Sequence, residues 1–478
     1  MTVSRRTLAI YLTTLVLFGG GILALCLHGP EPSATSAQVR PSVVVVANSY
    51  GHFLLNQLQT PAILLLVQII VILLFSKLFS LVMRPFGQPT VVMEILAGVV
   101  LGPSVIGFIW PGFTHHLFPA SSFSTLQALS QIGLMLYMFV VGMQLDTKMA
   151  REHSDAAMLV SHASMICPFF FGVVLARGLY STCAPPGVHF LPFALFMGIA
   201  MSVTAFPVLA RILRERGMST TAMGSLALTC AAIGDLTAWC LLAAVVAIAQ
   251  HGPLSIAYGT VLASALYLLT MMFVVRPLLE RLFSRSSFTA LADKTWMALI
   301  LVYLLLSSLM TELIGIHALF GAFVAGLAMP KLSTLRSTVT ERVEYTSEIV
   351  LLPLFFALTG LRTQIGLLTH ASDWMICLLI ILVAVVGKGV GGILAARGSA
   401  IPWRDSLLLG VLLNTRGLME LVILNIGYDL GILSPAIFTM LVIMALATTC
   451  MTGPLVTLLT RKGPTRMSSD LYRAIPGP

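Results

Sequence analysis

Asp235 lies in AAIGDLTAWCLLAAVV, residues 231 to 246, an apolar run with no lysine or arginine nearby. Few other ionisable side chains fall inside apolar runs: Lys388, and Arg416 with Glu420 in LLNTRGLMEL, residues 412–421. Burying such a group in lipid costs about 2.5–3.5 kcal/mol on the insertion scale, so each is expected to face a polar cavity or a partner. A lone carboxylate at that depth can hold a proton or a hard monovalent cation but not both, and that competition couples the two. The plain alternative for Asp235 is a hydrogen bond between packed helices, which Thr or Asn would make at less cost. Arg416 and Glu420 stand at i and i+4, the spacing at which two charges on one helix neutralise each other, and a structural pair is the preferred reading there. Glu94, nearer a helix end, reads as structural, and His317, after a short turn, as a hydrogen-bonding residue rather than a proton relay.

The setting for these residues is a bilayer. The chain has 478 residues, of which 58% are hydrophobic and 9% charged, and its apolar runs have the length that spans a membrane. Cut at Pro, Gly and charge, they predict spans near 8–27, 61–83, 89–109, 125–145, 156–180, 188–211, 219–249, 254–275, 295–314, 315–332, 345–363, 373–396, 403–428 and 432–460. The net charge of +9 sits in the loops between them rather than on one soluble face, which argues against a nucleic-acid partner. Of the 27 lysines and arginines, 22 fall in loops on one side, only Arg40, Arg177 and Arg362 on the other, and Lys388 and Arg416 within spans. The positive-inside rule then places both termini in the cytoplasm of a multi-pass cell-membrane protein. The seven scattered cysteines have no metal-ligand spacing and read as small apolar fillers.

Residues 1–60 read as a retained signal anchor and an extracytoplasmic tether, and 461–478 as a cytoplasmic tail too short to fold alone. The thirteen spans between them divide into six (61–249), a linker (254–275) and six (295–460), so the two sixes enter the membrane from opposite sides. That is the plan of inverted-repeat transporters. Each half is broken in its fifth span, by Pro207 within SVTAFPVLAR (202–211) and by Asn414, Thr415, Arg416 and Gly417. Either break alone reads as a kink in a packed helix; a matched pair points to an ion site.

MEILAGVVLGPS (93–104), SVTAFPVLARIL (202–213), GDLTAWCLLA (234–243), PLFFALTGL (353–361), GKGVGG (387–392) and NTRGLMELVILNIG (414–427) resemble the second monovalent cation:proton antiporter superfamily. The motif pattern is most similar to that of plant cation/proton exchangers and their bacterial relatives. The resemblance implies an all-α sodium/proton antiporter fold with a dimerisation panel and a mobile core, in which two broken helices cross beside an essential aspartate. Carried over, it makes Asp235 and Thr204 the binding site for transported Na⁺ or K⁺ and for H⁺, with Lys388 the basic residue facing them. The broken helices, with Pro207, Asn414, Thr415, Arg416 and Glu420, support that site. No cofactor and no catalytic side chain is implied, so the chain is expected not to be an enzyme, and the assembly implied is a homodimer. One position departs from the family: a second carboxylate or an amide usually precedes the aspartate, and here Gly234 does. Lys388 is then free to pair with Asp235 itself, and one cation is expected to exchange for one proton. The rival readings are a K⁺ efflux system of channel type and an exporter of organic cations on the same fold. An intramembrane protease is disfavoured, because Tyr428-Asp429 falls at a helix end and AIGD lacks that motif's first glycine.

Overall fold

The computed structural model describes residues 60–83, 88–144, 154–218, 221–250, 254–285, 294–330 and 333–460. The expected anchor, most of the tether and the tail lie outside the described residues. Helices account for the membrane segments because lipid offers no partner for backbone N–H and C=O groups, which an α-helix satisfies within itself. In chain order these are α1 (Pro61–Met83), α2 (Thr90–Leu101), α3 (Ala120–Gln144), α4 (Ser154–Cys183), α5 (Phe190–Ser202), α6 (Phe206–Glu215), α7 (Ala222–Gln250) and α8 (Leu254–Thr270). The second half comprises α9 (Lys294–Ile314), α10 (Ala318–Ala328), α11 (Leu352–Arg362), α12 (Ala371–Gly398), α13 (Trp403–Leu413), α14 (Leu418–Asp429) and α15 (Pro435–Thr460). Single π-helical turns, Met271–Val275 and Ser347–Leu351, carry α8 into Arg276–Arg285 and Ser333–Thr346 into α11.

Among the described residues ten helices are long and apolar enough to cross a membrane, eleven with the bent pair α13–α14 counted as one span. The other two spans expected from the sequence after residue 60 are present but short, because α5 stops at Ser202 and α10 holds only 11 residues.

The helices sort into two groups by what they touch. In one, α2 packs on α11 and α3 on α10; in the other, α4 packs on α12, with α5, α7, α13 and α15 around them. The first two contacts are reciprocal. A second-position helix of each half lies against a third-position helix of the other, as a two-fold between inverted repeats requires. Both depend on bare backbone. A Cβ on Gly98 would lie 2.1 Å from the Ala357 carbonyl oxygen, and one on Gly326 2.0 Å from that of Phe139. Small residues that let backbones approach closely supply the dispersion contact which the hydrophobic effect cannot supply between helices in lipid. Exposed apolar side chains include Leu262 on α8, Phe273 in the π turn after it, Leu313 on α9 and Met375 on α12, as lipid-facing surfaces require.

Candidate functional site

Two helices stop and restart at one place. α5 ends at Ser202 and α6 begins at Phe206, leaving Val203, Thr204 and Ala205 outside either helix. α13 ends at Leu413 and α14 begins at Leu418, with a 42° bend between them. Asn414, Thr415 and Arg416 therefore lie in the second gap, and Glu420 in the first turn of α14. Pro207 is not the break itself. It is the second residue of α6, where a ring without an N–H is tolerated, so it opens the second half-helix instead of kinking the first.

The two gaps cross in contact. The Thr204 hydroxyl donates to the Leu413 carbonyl at 2.9 Å, and the Ala205 N–H to the Thr415 carbonyl at 3.1 Å. Gly417 permits that approach, since a Cβ there would meet Val208 Cγ2 at 2.6 Å.

A helix that stops inside a membrane leaves carbonyls at its C-terminus and N–H groups at its N-terminus, with partial charges to match. The ionisable side chains meet those ends with the right sign. Arg416 Nη1 and Nη2 donate to the carbonyls of Ala200 and Met201, each at 2.8 Å, and Lys388 Nζ donates to that of Ser202. Two cations thus cover three consecutive carbonyls at the end of α5. At the start of α6, the Phe206 N–H donates to Asp235 Oδ2 at 3.3 Å. Arg416 Nη1 also lies 3.2 Å from Glu420 Oε1, with both side chains fully buried, so the i, i+4 pair read from the sequence is formed.

Asp235 is 2% exposed, Thr204 4%, Lys388 1% and Asn414 7%, which puts the whole constellation out of contact with bulk water. Within it, Asp235 Oδ1 and Asn414 Oδ1 are buried oxygens that make no hydrogen bond. Thr204 donates its proton to the protein and keeps its lone pairs, so its oxygen can still face a cation. Uncompensated acceptors on a carboxylate and an amide, and a threonine oxygen with lone pairs to spare, are oxygen ligands of the type that a transported Na⁺ can take.

The expected pairing of Lys388 with Asp235 is not formed in this conformation. The break leaves the Ser202 carbonyl free beside the ammonium, and Lys388 bonds to it, while Asp235 bonds to the backbone of α6. The two side chains still act on each other through space, and Lys388 also interacts with Arg416 and Glu420. Gly234 leaves room beside Asp235, since the nearest atom to a Cβ built there is Ser161 Oγ at 3.5 Å.

Two contributors were not singled out from the sequence. Thr449 of α15 accepts the Arg416 N–H at 3.1 Å and donates to the Arg416 carbonyl at 2.8 Å, closing both backbone groups in the second gap. The ATTCMT run that contains it was visible, but threonines in membrane helices commonly bond to their own backbone. Trp239, one turn beyond Asp235, is buried, with its ring 6.5 Å from that of Phe320 in α10, and joins the two helix groups beside the site. An aromatic in an apolar helix carries no sequence mark of that role. His317 caps α10, its ring accepting the Leu319 N–H at 3.4 Å, and Glu94 is buried in α2.

The family model described as "Sodium/hydrogen exchanger, transmembrane" matches residues 70–462. The chain belongs to this family. Of its relatives, the Na(+)/H(+) antiporter NhaS4 of Synechocystis sp. is 41% identical over 395 residues, which are 82% of this chain and 96% of that protein. The K(+)/H(+) antiporter 1 of Saccharomyces cerevisiae is 34% identical over 412 residues, 84% of this chain but 47% of that protein, so the chain spans about half the yeast relative. Among solved structures, the sodium proton antiporter MjNhaP1 of Methanocaldococcus jannaschii superposes with a TM-score of 0.63 over 84% of this chain and 97% of that one. At 13% identity this similarity shows the fold alone. The family is one of transporters rather than enzymes.

Proposed function

We propose that the protein exchanges a monovalent cation, Na⁺ or K⁺, for H⁺ across the membrane by alternating access, with Asp235 binding the two competitively. One observation carries this reading: at the crossing, one Asp235 oxygen is held by the start of α6 while the other is buried without a hydrogen bond. The names of the cyanobacterial and yeast relatives support antiport, one with Na⁺ and the other with K⁺. The cation takes Asp235 Oδ1, with the oxygens of Thr204 and Asn414 completing its shell as water is stripped away. When the proton takes Asp235 instead, the cation leaves, and only a loaded carboxylate lets the broken-helix group move against α2, α3, α10 and α11.

Repeat one is 61–249 and repeat two 295–460, joined through 254–275; two chains associate through the first helix group, and the ends near Ser122 and Arg362 face outward, on the strength of the loop charges. One-for-one exchange requires that Lys388, which donates to the Ser202 carbonyl, stay protonated through the cycle. With Gly234 supplying no second acid, one cation replaces one proton and no net charge moves. In proteoliposomes, Na⁺-driven proton efflux is therefore expected to run at the same rate at zero and at valinomycin-clamped potentials, while choline drives none. A rate that changes clearly with the clamped potential would overturn one-for-one exchange.

A further inference from the structure

At the end of the molecule where α11 stops, a charged group holds the two helix groups together. Arg362, the last residue of α11, donates from Nη1 to Asn425 Oδ1 at 2.8 Å and from Nη2 to Gln127 Oε1 at 2.9 Å, and Nη1 lies 3.0 Å from Asp429 Oδ1. Gln127 Nε2 donates to the other Asp429 oxygen at 2.9 Å. Gln127 belongs to α3 and Arg362 to α11, in the group built on α2 and α10; Asn425 and Asp429 belong to α14, which starts at the ion site. The guanidinium side chain is 10% exposed and that of Asp429 37%, so the contact lies at a mouth, with solvent on one side. Behind it is a cavity of about 30 Å³ whose mostly apolar wall, with Leu134, Phe355 and Val422, also carries the polar side chains of Ser130, Gln131 and His317.

Three oxygens from three side chains surround one positive charge. This is the arrangement a partly dehydrated monovalent cation takes, with a tethered guanidinium in its place. We propose that Arg362 fills an oxygen-lined cation site at this mouth and that its bonds to Asn425 and Asp429 are the latch that closes the cleft on this face. The inference rests on the alternating-access reading. A cation arriving from this side displaces Arg362 from Asp429, Asn425 and Gln127, so α14 loses its tie to α11 and is held to α3 by the Gln127–Asp429 hydrogen bond alone. Because the pair is open to water on the Asp429 side, it is weak enough to open and, as part of a hydrogen-bonded cluster, strong enough to hold the cleft shut between cycles.

The test uses a single cysteine, Ser130→Cys, in the cavity wall of the full chain with its native cysteines replaced, labelled by an impermeant thiol reagent in proteoliposomes. Releasing the latch with Arg362→Gln or with Asp429→Asn is expected to speed labelling about tenfold, the shift that a coupling of about 1.4 kcal/mol produces. The exchange Arg362→Asp with Asp429→Arg is expected to return the rate towards that of the parent, which general loosening of the fold would not do. Parent-like labelling in either single variant, or a double exchange that labels as fast as the singles, would overturn the proposal. Labelling does not require transport. If the single variants label fast while the parent moves no cation, the exchange reading has failed and the latch stands; if the parent exchanges cations and the variants label slowly, the latch alone has failed.

Discussion

Asp235→Asn abolishes cation-dependent proton movement, leaving the flux of protein-free liposomes, while the protein inserts and purifies as the parent does. The amide is nearly isosteric and its oxygen can still accept the Phe206 N–H, so the bond that ties α7 to the start of α6 survives. What disappears is the group that carries the proton and the charge that attracts the cation. The site is buried and its second carboxylate oxygen makes no hydrogen bond, so no neighbouring acid is ready to substitute. Glu420 is already paired with Arg416, and position 234 is a glycine. Proton flux with pH-sensitive dye in proteoliposomes, read alongside elution profile and melting temperature, separates lost chemistry from lost fold. Full exchange in the Asn variant would remove Asp235 from the mechanism.

Arg416→Leu is expected to be the most destabilising single change at the crossing. The guanidinium covers the Ala200 and Met201 carbonyls and neutralises Glu420, all without solvent. Removing it leaves a buried carboxylate and two buried carbonyls unpaired, and breaking a buried ion pair from one side typically costs about 3–5 kcal/mol. Arg416→Leu combined with Glu420→Leu removes both partners and is expected to melt above the single variant, because no uncompensated charge is left. Arg416→Lys keeps the charge but cannot span two carbonyls, and falls between parent and Leu. Thermal unfolding in detergent reads all three. A single Leu variant that melts with the parent would show that the staple between the two broken helices contributes little to the fold.

The membrane spans were legible because lipid thickness and the demand for internal hydrogen bonding leave few alternatives, and the spans read at 61–83, 219–249, 373–396 and 432–460 correspond closely to α1, α7, α12 and α15. Both broken helices were legible from Pro207 and from Asn414 to Gly417, although the first gap falls at Val203 to Ala205, ahead of the proline. Which side chain would answer which was not legible. The sequence offered Asp235 as the acid for Lys388 to meet, because free backbone carbonyls carry no letter code, and the Ser202 carbonyl exists as an acceptor only once α5 has stopped. Thr449 escaped notice for the same reason, since its partner is the backbone of Arg416. Arg362 and Asp429 lie far apart along the chain, each beside a loop, and only the packing of α11 against α14 brings them together.

Competition for one carboxylate is tested most directly by the apparent KM for Na⁺ or K⁺ as the pH on the cation-loading side is lowered. If proton and cation take turns on Asp235, the KM rises, approaching about tenfold per pH unit once protons occupy most sites, while the rate at saturating cation stays constant. A KM that holds steady while the saturating rate falls would mean that the two ions do not share Asp235, and would contradict the account.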